Sequence, residues 1–564
     1  MSTPNTPPPP HQPPSGGFGA PTPPPPQGPP PMPPAPPAMP PTVPQPTAQP
    51  AYGYPPQQPP GYGYPQPATV AAPAAQQQPP AGGGGDKRTQ LMIVGAALLA
   101  MVLIIGGGFW YVSGDDDGGT DQPTASDGPS GSPDANKGPA GTGSEKVPTN
   151  PKSKTLVNVP LPQTPELIAV DGSWLTDTTY IKSDIAKVVG YNLVDGGKKW
   201  ETALPANVCG ATKHVSDNKS AILFEEAMPS AEKKYPQCTQ VGVIDLNTGK
   251  LLWSATAKSA TGGDKPVSFD EVTISGQTVA AGGLGGGAAW NLTDGKSLWA
   301  PKIDGEGCHD VGYAGGEALA VMRSCGRASE PTLHAQLLDP ATGAPKYSYK
   351  LTGGIPYAGI ISTKPLIIAA NVANTAKNAT NVSDLFVLDD AGQLKSRLSL
   401  ASGSYGPHCP ANDVEKCTGM VVGNGKLYLP TYEHQGATSS VGRTNEIVSF
   451  DLETGKPTSD RADAGERFTV YPLRMDGPNI IAYKEPPYDA GGQVVSIDGK
   501  TMKETVLMKN PAEKASQRAE SGFLIDHSEL RYHNGRFFMA RTTARKSTID
   551  TGDPEYLFIS FTAS

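Results

Sequence analysis

A segment of about 50 residues recurs along the last two thirds of the chain, and it constrains the fold more than any other feature. Its clearest copies contain "YNLVDGGKKW" from Tyr191, "IDLNTGKLLW" from Ile244 and "WNLTDGKSLW" from Trp290. In each copy a polar residue is followed by glycine four positions later and by tryptophan eight positions later. Fainter copies begin at Leu338, Leu388, Phe450 and Ile497.

Each copy is typical of two strands joined by a tight turn. Apolar residues precede the turn in "VGVID" and follow it in "LLWSA". Asp245 can accept hydrogen bonds from the turn backbone, and Gly249 can adopt a positive φ. Glycine stands at the same place in other copies: Gly196, Gly295, Gly343 and Gly455. Strands and turns with this period predict an all-β fold built from four-stranded propeller blades.

The number of copies predicts eight blades, with seven as the alternative. Seven turn motifs are followed by a C-terminal region without one, where "SELRYHNGRFFMAR" and "EYLFISFTAS" are strand-like. The segment "KTLVNVPLP", 154–162, precedes the first full copy. We expect it to complete the last sheet, because a closed ring leaves no exposed sheet edge. The predicted propeller spans residues 154–564.

The glycine and tryptophan spacing is similar to that of the quinoprotein-type eight-bladed propellers. That family includes the quinoprotein alcohol dehydrogenases and the non-enzymatic BamB-like lipoproteins of outer-membrane barrel assembly. The resemblance implies that Trp200, Trp253 and Trp299 dock against the neighbouring blade. It weakens in later copies, where Tyr347 takes the tryptophan position of the fourth.

The resemblance also allows a test for catalysis. Quinone enzymes of this family hold their cofactor above a tryptophan and beneath a disulfide between adjacent cysteines, near a calcium ion. This chain has no adjacent cysteines, and its predicted propeller has no GxSxG, HExxH or P-loop motif. We therefore predict a non-catalytic binding or scaffold domain with no catalytic, cofactor-binding or metal-binding residue. Two alternatives stay open: a ligand-sensing ectodomain that signals to a cytoplasmic tail, and a quinone-dependent dehydrogenase.

All six cysteines lie within the predicted propeller. An even number favours disulfides, and six cysteines allow fifteen pairings. The repeat favours pairing within one period: Cys209 with Cys238, Cys308 with Cys325, and Cys409 with Cys417. The absence of a CxxC motif argues against a zinc site.

The segment before the propeller divides into three parts. Residues 1–88 contain no Asp, Glu, Lys or Arg before Asp86, and their proline content predicts a disordered tail. Runs such as "PTPPPPQGPP" fit aromatic grooves of a cytoplasmic partner, and a solvated spacer is the alternative. Residues 89–112 include 22 consecutive uncharged residues, enough to cross a membrane. Residues 113–153 are rich in Gly, Ser, Pro and Asp, which predicts a flexible stalk.

The charges beside the apolar segment predict its orientation. Lys87 and Arg88 precede it, and three aspartates follow it at 115–117. Because basic flanks stay in the cytoplasm, we expect a single-pass protein of the bacterial cell membrane with an extracytoplasmic propeller. The net charge of -8, without a basic cluster, argues against nucleic-acid binding. The expected partners are the membrane and a protein or small ligand at the propeller.

Overall fold

The computed structural model describes residues 143–564 except 261, 328, 377–381, 411–412, 437–441, 547–551 and 564. The predicted tail 1–88, the predicted membrane helix 89–112 with Lys87 and Arg88, and most of the predicted stalk lie outside the described residues. Within the described ranges, no helix is long and apolar enough to span a membrane.

Eight four-stranded antiparallel sheets form the blades of a propeller, which confirms the all-β fold and the count of eight. Blades 1 to 7 are sequential meanders, numbered along the chain, with the first strand innermost. The strands of blade 1 are Ser173–Leu175, Thr179–Asp184, Lys187–Asn192 and Lys198–Ala203; those of blade 2 are Val208–Ala211, Lys219–Glu225, Cys238–Asp245 and Leu251–Ala255; those of blade 3 are Glu271–Ser275, Thr278–Gly282, Ala288–Asn291 and Ser297–Trp299. The strands of blade 4 are His309–Ala314, Leu319–Arg327, Glu330–Leu338 and Pro345–Lys350; those of blade 5 are Ala358–Thr363, Leu366–Ala370, Asp384–Leu388 and Leu394–Ser399. The strands of blade 6 are Val421–Gly423, Lys426–Pro430, Glu446–Asp451 and Pro457–Asp463; those of blade 7 are Thr469–Asp476, Asn479–Glu485, Gln493–Ile497 and Glu504–Lys509.

Blade 8 joins the two ends of the described chain. Its inner three strands are Ser528–His533, Arg536–Arg541 and Tyr556–Ala563, and its outermost strand is Ser153–Pro160. Strands Tyr556–Ala563 and Ser153–Pro160 pair antiparallel, with Ser153 opposite Ala563. The segment expected to close the ring therefore does so.

Few other elements interrupt the blades. The described residues contain one α-helix, Lys514–Ser521, and two short 3₁₀ turns, Val372–Asn374 and Ile525–His527. Two-residue strands pair Ile168–Ala169 with Thr543–Ala544, and His434–Gln435 with Arg443–Thr444.

The repeated turn joins the third and fourth strands of each meander. In blade 2, Asn247 N and Thr248 N each donate to Asp245 Oδ1 at 2.9 Å, and Gly249 has a φ of 76°. Because strand direction alternates, this turn lies on the same face as the turn between the first and second strands. We call this the turn face. The connection face, on the opposite side, carries the hairpins between second and third strands and the segments between blades.

The recurring tryptophans pack across the gaps between blades. A Cβ atom on Gly249 would lie 2.3 Å from Trp200 Cε3, so the indole rests directly on the turn glycine of the next blade. Trp253 lies in the same way on Gly295. Trp299 likewise lies on Gly343, but all three indoles are half-buried rather than fully buried. The blade cores lie further in, where Trp174 and Trp290 are 1% and 3% exposed.

Candidate functional site in the central channel

The six cysteines form three disulfides between the pairs that the repeat predicts. Cys209–Cys238 joins the first and third strands of blade 2. Cys308–Cys325 joins the start of blade 4 to its second strand. Cys409–Cys417 differs, because it closes a short loop within the segment that connects blades 5 and 6. We call the described residues 409–410 and 413–417 the plug.

The plug enters the central channel and forms hydrogen bonds with blades 2 to 5. Val414 N donates to Glu271 Oε2 of blade 3 at 2.8 Å, and Val414 O accepts from Ile360 N of blade 5 at 2.6 Å. The Val414 side chain packs where blade 4 carries Gly312. A Cβ atom at Gly312 would lie 2.5 Å from Val414 Cγ2, so glycine makes room for the plug.

Glu415 carries the plug through to the turn face. Its Oε1 lies 2.5 Å from His214 Nε2 and accepts a hydrogen bond from Gly315 N at 3.1 Å. Both partners lie in turns between first and second strands, in blades 2 and 4 respectively. Lys213 Nζ lies 3.9 Å from the same oxygen. The chain itself therefore spans the channel from one face to the other.

Neighbouring charges shift the pKa values of Glu415 and Glu271 in opposite directions. Burial raises the pKa of Glu415, but the charges of His214 and Lys213 outweigh it and hold that pKa at about 2. Burial raises the pKa of Glu271 well above its ordinary value, and the charge of Asp413 adds to this. Glu271 accepts from Tyr313 N as well as from the plug, so its carboxyl ties blade 4 to the plug.

Beside the plug, the remaining width of the channel forms a cavity of about 500 Å³. Its lining comes from the plug and from the neighbourhood of blades 1, 2, 3 and 8, and it reaches the connection face at Asp526 and His527. The described lining is rich in charge. Its carboxylates are Asp171, Asp270, Glu271, Glu415, Asp526 and Glu529, and its basic side chains are Lys213, Lys416, Arg531 and the histidines His408 and His527.

This lining does not fit a quinone cofactor of the kind that the enzymes of the resembling family bind. The described lining residues include no tryptophan and no disulfide between adjacent cysteines. Trp174 lies nearby but in the core, where its Nε1 donates to Thr212 O at 2.9 Å. Nor do the described residues contain a group of three or more His, Cys, Asp or Glu side chains arranged to hold a metal ion.

The sequence predicted one part of this site and missed the rest. Of the predicted residues, Cys409 and Cys417 belong to the channel, whereas Trp200, Trp253 and Trp299 lie between outer strands. The residues that sequence reasoning missed are Asp171, His214, Glu271, Glu415 and Glu529. A usable signal was the length of the connection between Ser399 and Val421, with the charged run "DVEK" before its second cysteine.

The fold and the channel define an eight-bladed propeller whose axis is filled by a disulfide-closed loop of its own chain. The family model of the outer membrane protein assembly factor BamB matches residues 238–504. That part of the propeller is similar to propellers of the PQQ/BamB type, the type that the repeat resembles.

Similar solved structures are distant. A europium-containing methanol dehydrogenase is 13% identical, with 73% of this chain and 93% of that chain covered and a TM-score of 0.40. The β-propeller domain of Cps50 (Swd1) from Myceliophteria thermophila is 10% identical, with 63% and 98% covered and a TM-score of 0.33. The β-propeller domain of the Trilobed protease from Pyrococcus furiosus is 10% identical, with 61% and 99% covered and a TM-score of 0.35. No curated protein sequence matches the chain.

Proposed function

We propose that the propeller is a non-catalytic binding or scaffold domain of the bacterial cell envelope, anchored by the apolar segment 89–112 and facing outward. The plug is the observation that carries this proposal. A loop of the chain occupies the axis, and its Val414 and Glu415 are fixed to blades 2 to 5. What remains of the channel is a charged cavity suited to recognition of a ligand or of a partner's side chain.

The point where the chain joins the propeller supports this arrangement. Ser144 N donates to Asp476 Oδ1 at 2.9 Å, and the carboxylate of Glu145 contacts Arg474 and accepts from Asn534 N at 2.8 Å. Glu145 is only 1% exposed. These partners lie at the turn face of blades 7 and 8. The segment that leads into the propeller from the N-terminal part of the chain therefore meets the propeller at the turn face. The connection face, where the cavity opens, then points away from the attachment.

The disulfides support an outward-facing propeller. Three disulfides with no free cysteine among the described residues are typical of an oxidising compartment.

Topology is tested with labels near Gly85 and near Ser130 in intact cells. We expect only the label near Ser130 to react with an impermeant reagent. Reaction of the label near Gly85 would contradict the proposed orientation.

The non-catalytic role is tested on the full chain in detergent, with added quinone cofactor and calcium. We expect an unchanged melting temperature and no dye-coupled oxidation of alcohols or sugars. A ligand present at 100 times its dissociation constant would stabilise the fold by about 2.7 kcal/mol, which a thermal melt detects. A clear stabilisation together with oxidation would support the dehydrogenase alternative instead.

A further inference from the structure

Asp171 is a carboxylate that the fold places in the channel cavity without a hydrogen-bond donor from the described residues. The hydrogen-bond donors near Asp171 contact Glu529 instead. Gly172 N and Lys182 Nζ both donate to Glu529, each at 2.9 Å, so Glu529 is satisfied. Asp171 lies just before the first strand of blade 1, where the backbone is already fixed by these contacts.

The charged groups that face Asp171 compensate its charge mainly through Lys416, which Asp171 shares with Asp413. They are Lys416, Glu529, Lys182 and Asp413. Lys182 is paired with Glu529, and Lys416 Nζ lies 3.7 Å from Asp413 Oδ1. Burial raises the pKa of Asp171 to about 6, although the charge of Lys416 opposes this. At neutral pH the group is mostly ionised, and a half-buried carboxylate without a hydrogen-bond donor from the described residues gains from an added cation.

The other charged side chains that line the cavity also favour a positively charged ligand. Even without Glu271, whose raised pKa favours its neutral form, the described lining holds five carboxylates against three lysine and arginine side chains, so the field of the cavity attracts cations. Its volume of about 500 Å³ lies within the range of small-molecule sites and accommodates a long basic side chain or a small amine.

We propose that the cavity binds an organic cation whose ammonium or guanidinium group donates hydrogen bonds to Asp171. This inference names the ligand class for the binding role proposed above and rests on that role. The cation belongs either to a lysine or arginine side chain of a protein partner or to a free amine.

The experiment is calorimetric titration of the full chain in detergent at pH 7.5. The probes are 1,5-diaminopentane and the blocked tripeptides Gly-Lys-Gly and Gly-Arg-Gly, with calcium chloride as the comparison. We expect saturable binding of at least one organic cation. Tighter binding of a peptide identifies a protein side chain as the source, and tighter binding of the diamine identifies a free amine. Binding of calcium alone, or of no probe, would overturn the proposal.

Variants assign the site. Asp171→Asn keeps the shape of the side chain but removes its charge, and it should weaken binding about tenfold or more. Lys416→Gln should tighten binding, because it removes a like charge facing the ligand. Asp390→Asn, an exposed turn residue of blade 5, is the matched control and should change nothing. Undiminished affinity in Asp171→Asn, or weaker binding in Lys416→Gln, would contradict the assignment.

The pH dependence gives an independent reading. Binding should weaken as the pH falls from 7 through about 6, because protonated Asp171 no longer attracts a cation. Affinity that stays constant over this range would also overturn the inference. Capture of an envelope partner by a chain that binds none of these cations would refute the ligand class and leave the binding role intact.

Discussion

Trp253 shows how one residue joins two blades in this protein. Its indole lies on Gly295 of the next blade, and its Nε1 donates to Leu292 O at 2.9 Å. Trp253→Ala should lower the free energy of unfolding by about 2 kcal/mol, less than the roughly 3–5 kcal/mol of a fully buried ring, because the indole is half-buried. Denaturant unfolding measures this. Tyr488→Ala, at a side chain that is 80% exposed, is the control and should change it by less than about 0.5 kcal/mol.

Glu415 should make the stability of the propeller depend on acid pH. Its pKa is held at about 2, below the ordinary 4.5, so its ionised form stabilises the folded state above pH 4.5. This contribution, about 3 kcal/mol, is lost as the pH falls from 4.5 towards 2. Glu415→Gln should therefore destabilise the fold at pH 7, and its difference from the wild type should fall to about half near pH 3 and vanish only below about pH 2. A constant difference across denaturant unfolding at pH 7, 4 and 3 would refute this.

Asp171 should have the opposite effect on stability. Burial raises its pKa from 3.8 to about 6, so ionisation costs the folded state free energy as the pH rises through this range. Asp171→Asn should raise the melting temperature at pH 7.5 and leave it nearly unchanged at pH 3.5, where the wild-type residue is mostly protonated in both states. A lower melting temperature of the variant at pH 7.5 would show that the fold needs the charge.

At the scale of elements, the plug depends on the Cys409–Cys417 disulfide to hold its shape. Replacing both cysteines with serine should destabilise it by about 2–3 kcal/mol, the value expected for a short loop. The amides of Val414 and Glu415, which donate to Glu271, should then exchange hydrogen faster. The matched control replaces Cys308 and Cys325, outside the plug, and should leave these amides protected. Equal loss of protection in both variants would mean that the plug is not held by its own disulfide.

The blades were predictable because their signals are local, whereas the channel was not. The turn that contains Asp245 and Gly249 depends on only five consecutive residues, and each disulfide joins cysteines that are neighbours in one repeat. The pair between Glu415 and His214 spans 201 positions, and that between Lys182 and Glu529 spans 347. Such contacts follow from the arrangement of the ring, which no short pattern in the sequence records.

At the scale of the whole molecule, the ring is closed by a segment that also carries the attachment. Ser144 and Glu145, which precede the predicted boundary at residue 154, bond to the turn face. Lys509 N also donates to Pro151 O at 2.7 Å, next to the closing strand Ser153–Pro160. The last part of the predicted stalk is therefore part of the propeller.

Three shortened chains test how the ring depends on this segment. A chain that starts at residue 143 should have the same melting temperature as the full chain. A chain that starts at residue 154 should lose about 2–4 kcal/mol, because Arg474 and Asp476 are left partly buried without Glu145 and Ser144. A chain that starts at residue 161 leaves strand Tyr556–Ala563 as a bare sheet edge, so it should aggregate. Thermal melts and size-exclusion chromatography distinguish these states.

Glu145→Gln in the chain that starts at residue 143 controls for the change of terminus. It keeps every backbone contact and removes only the charge that Arg474 and His533 face. We expect a melting temperature between those of the chains starting at 143 and at 154, because Ser144 still donates to Asp476. If the chain starting at 161 were monomeric and melted with the full chain, seven complete blades would suffice to hold the ring, and closure by the N-terminal strand would be unnecessary for folding.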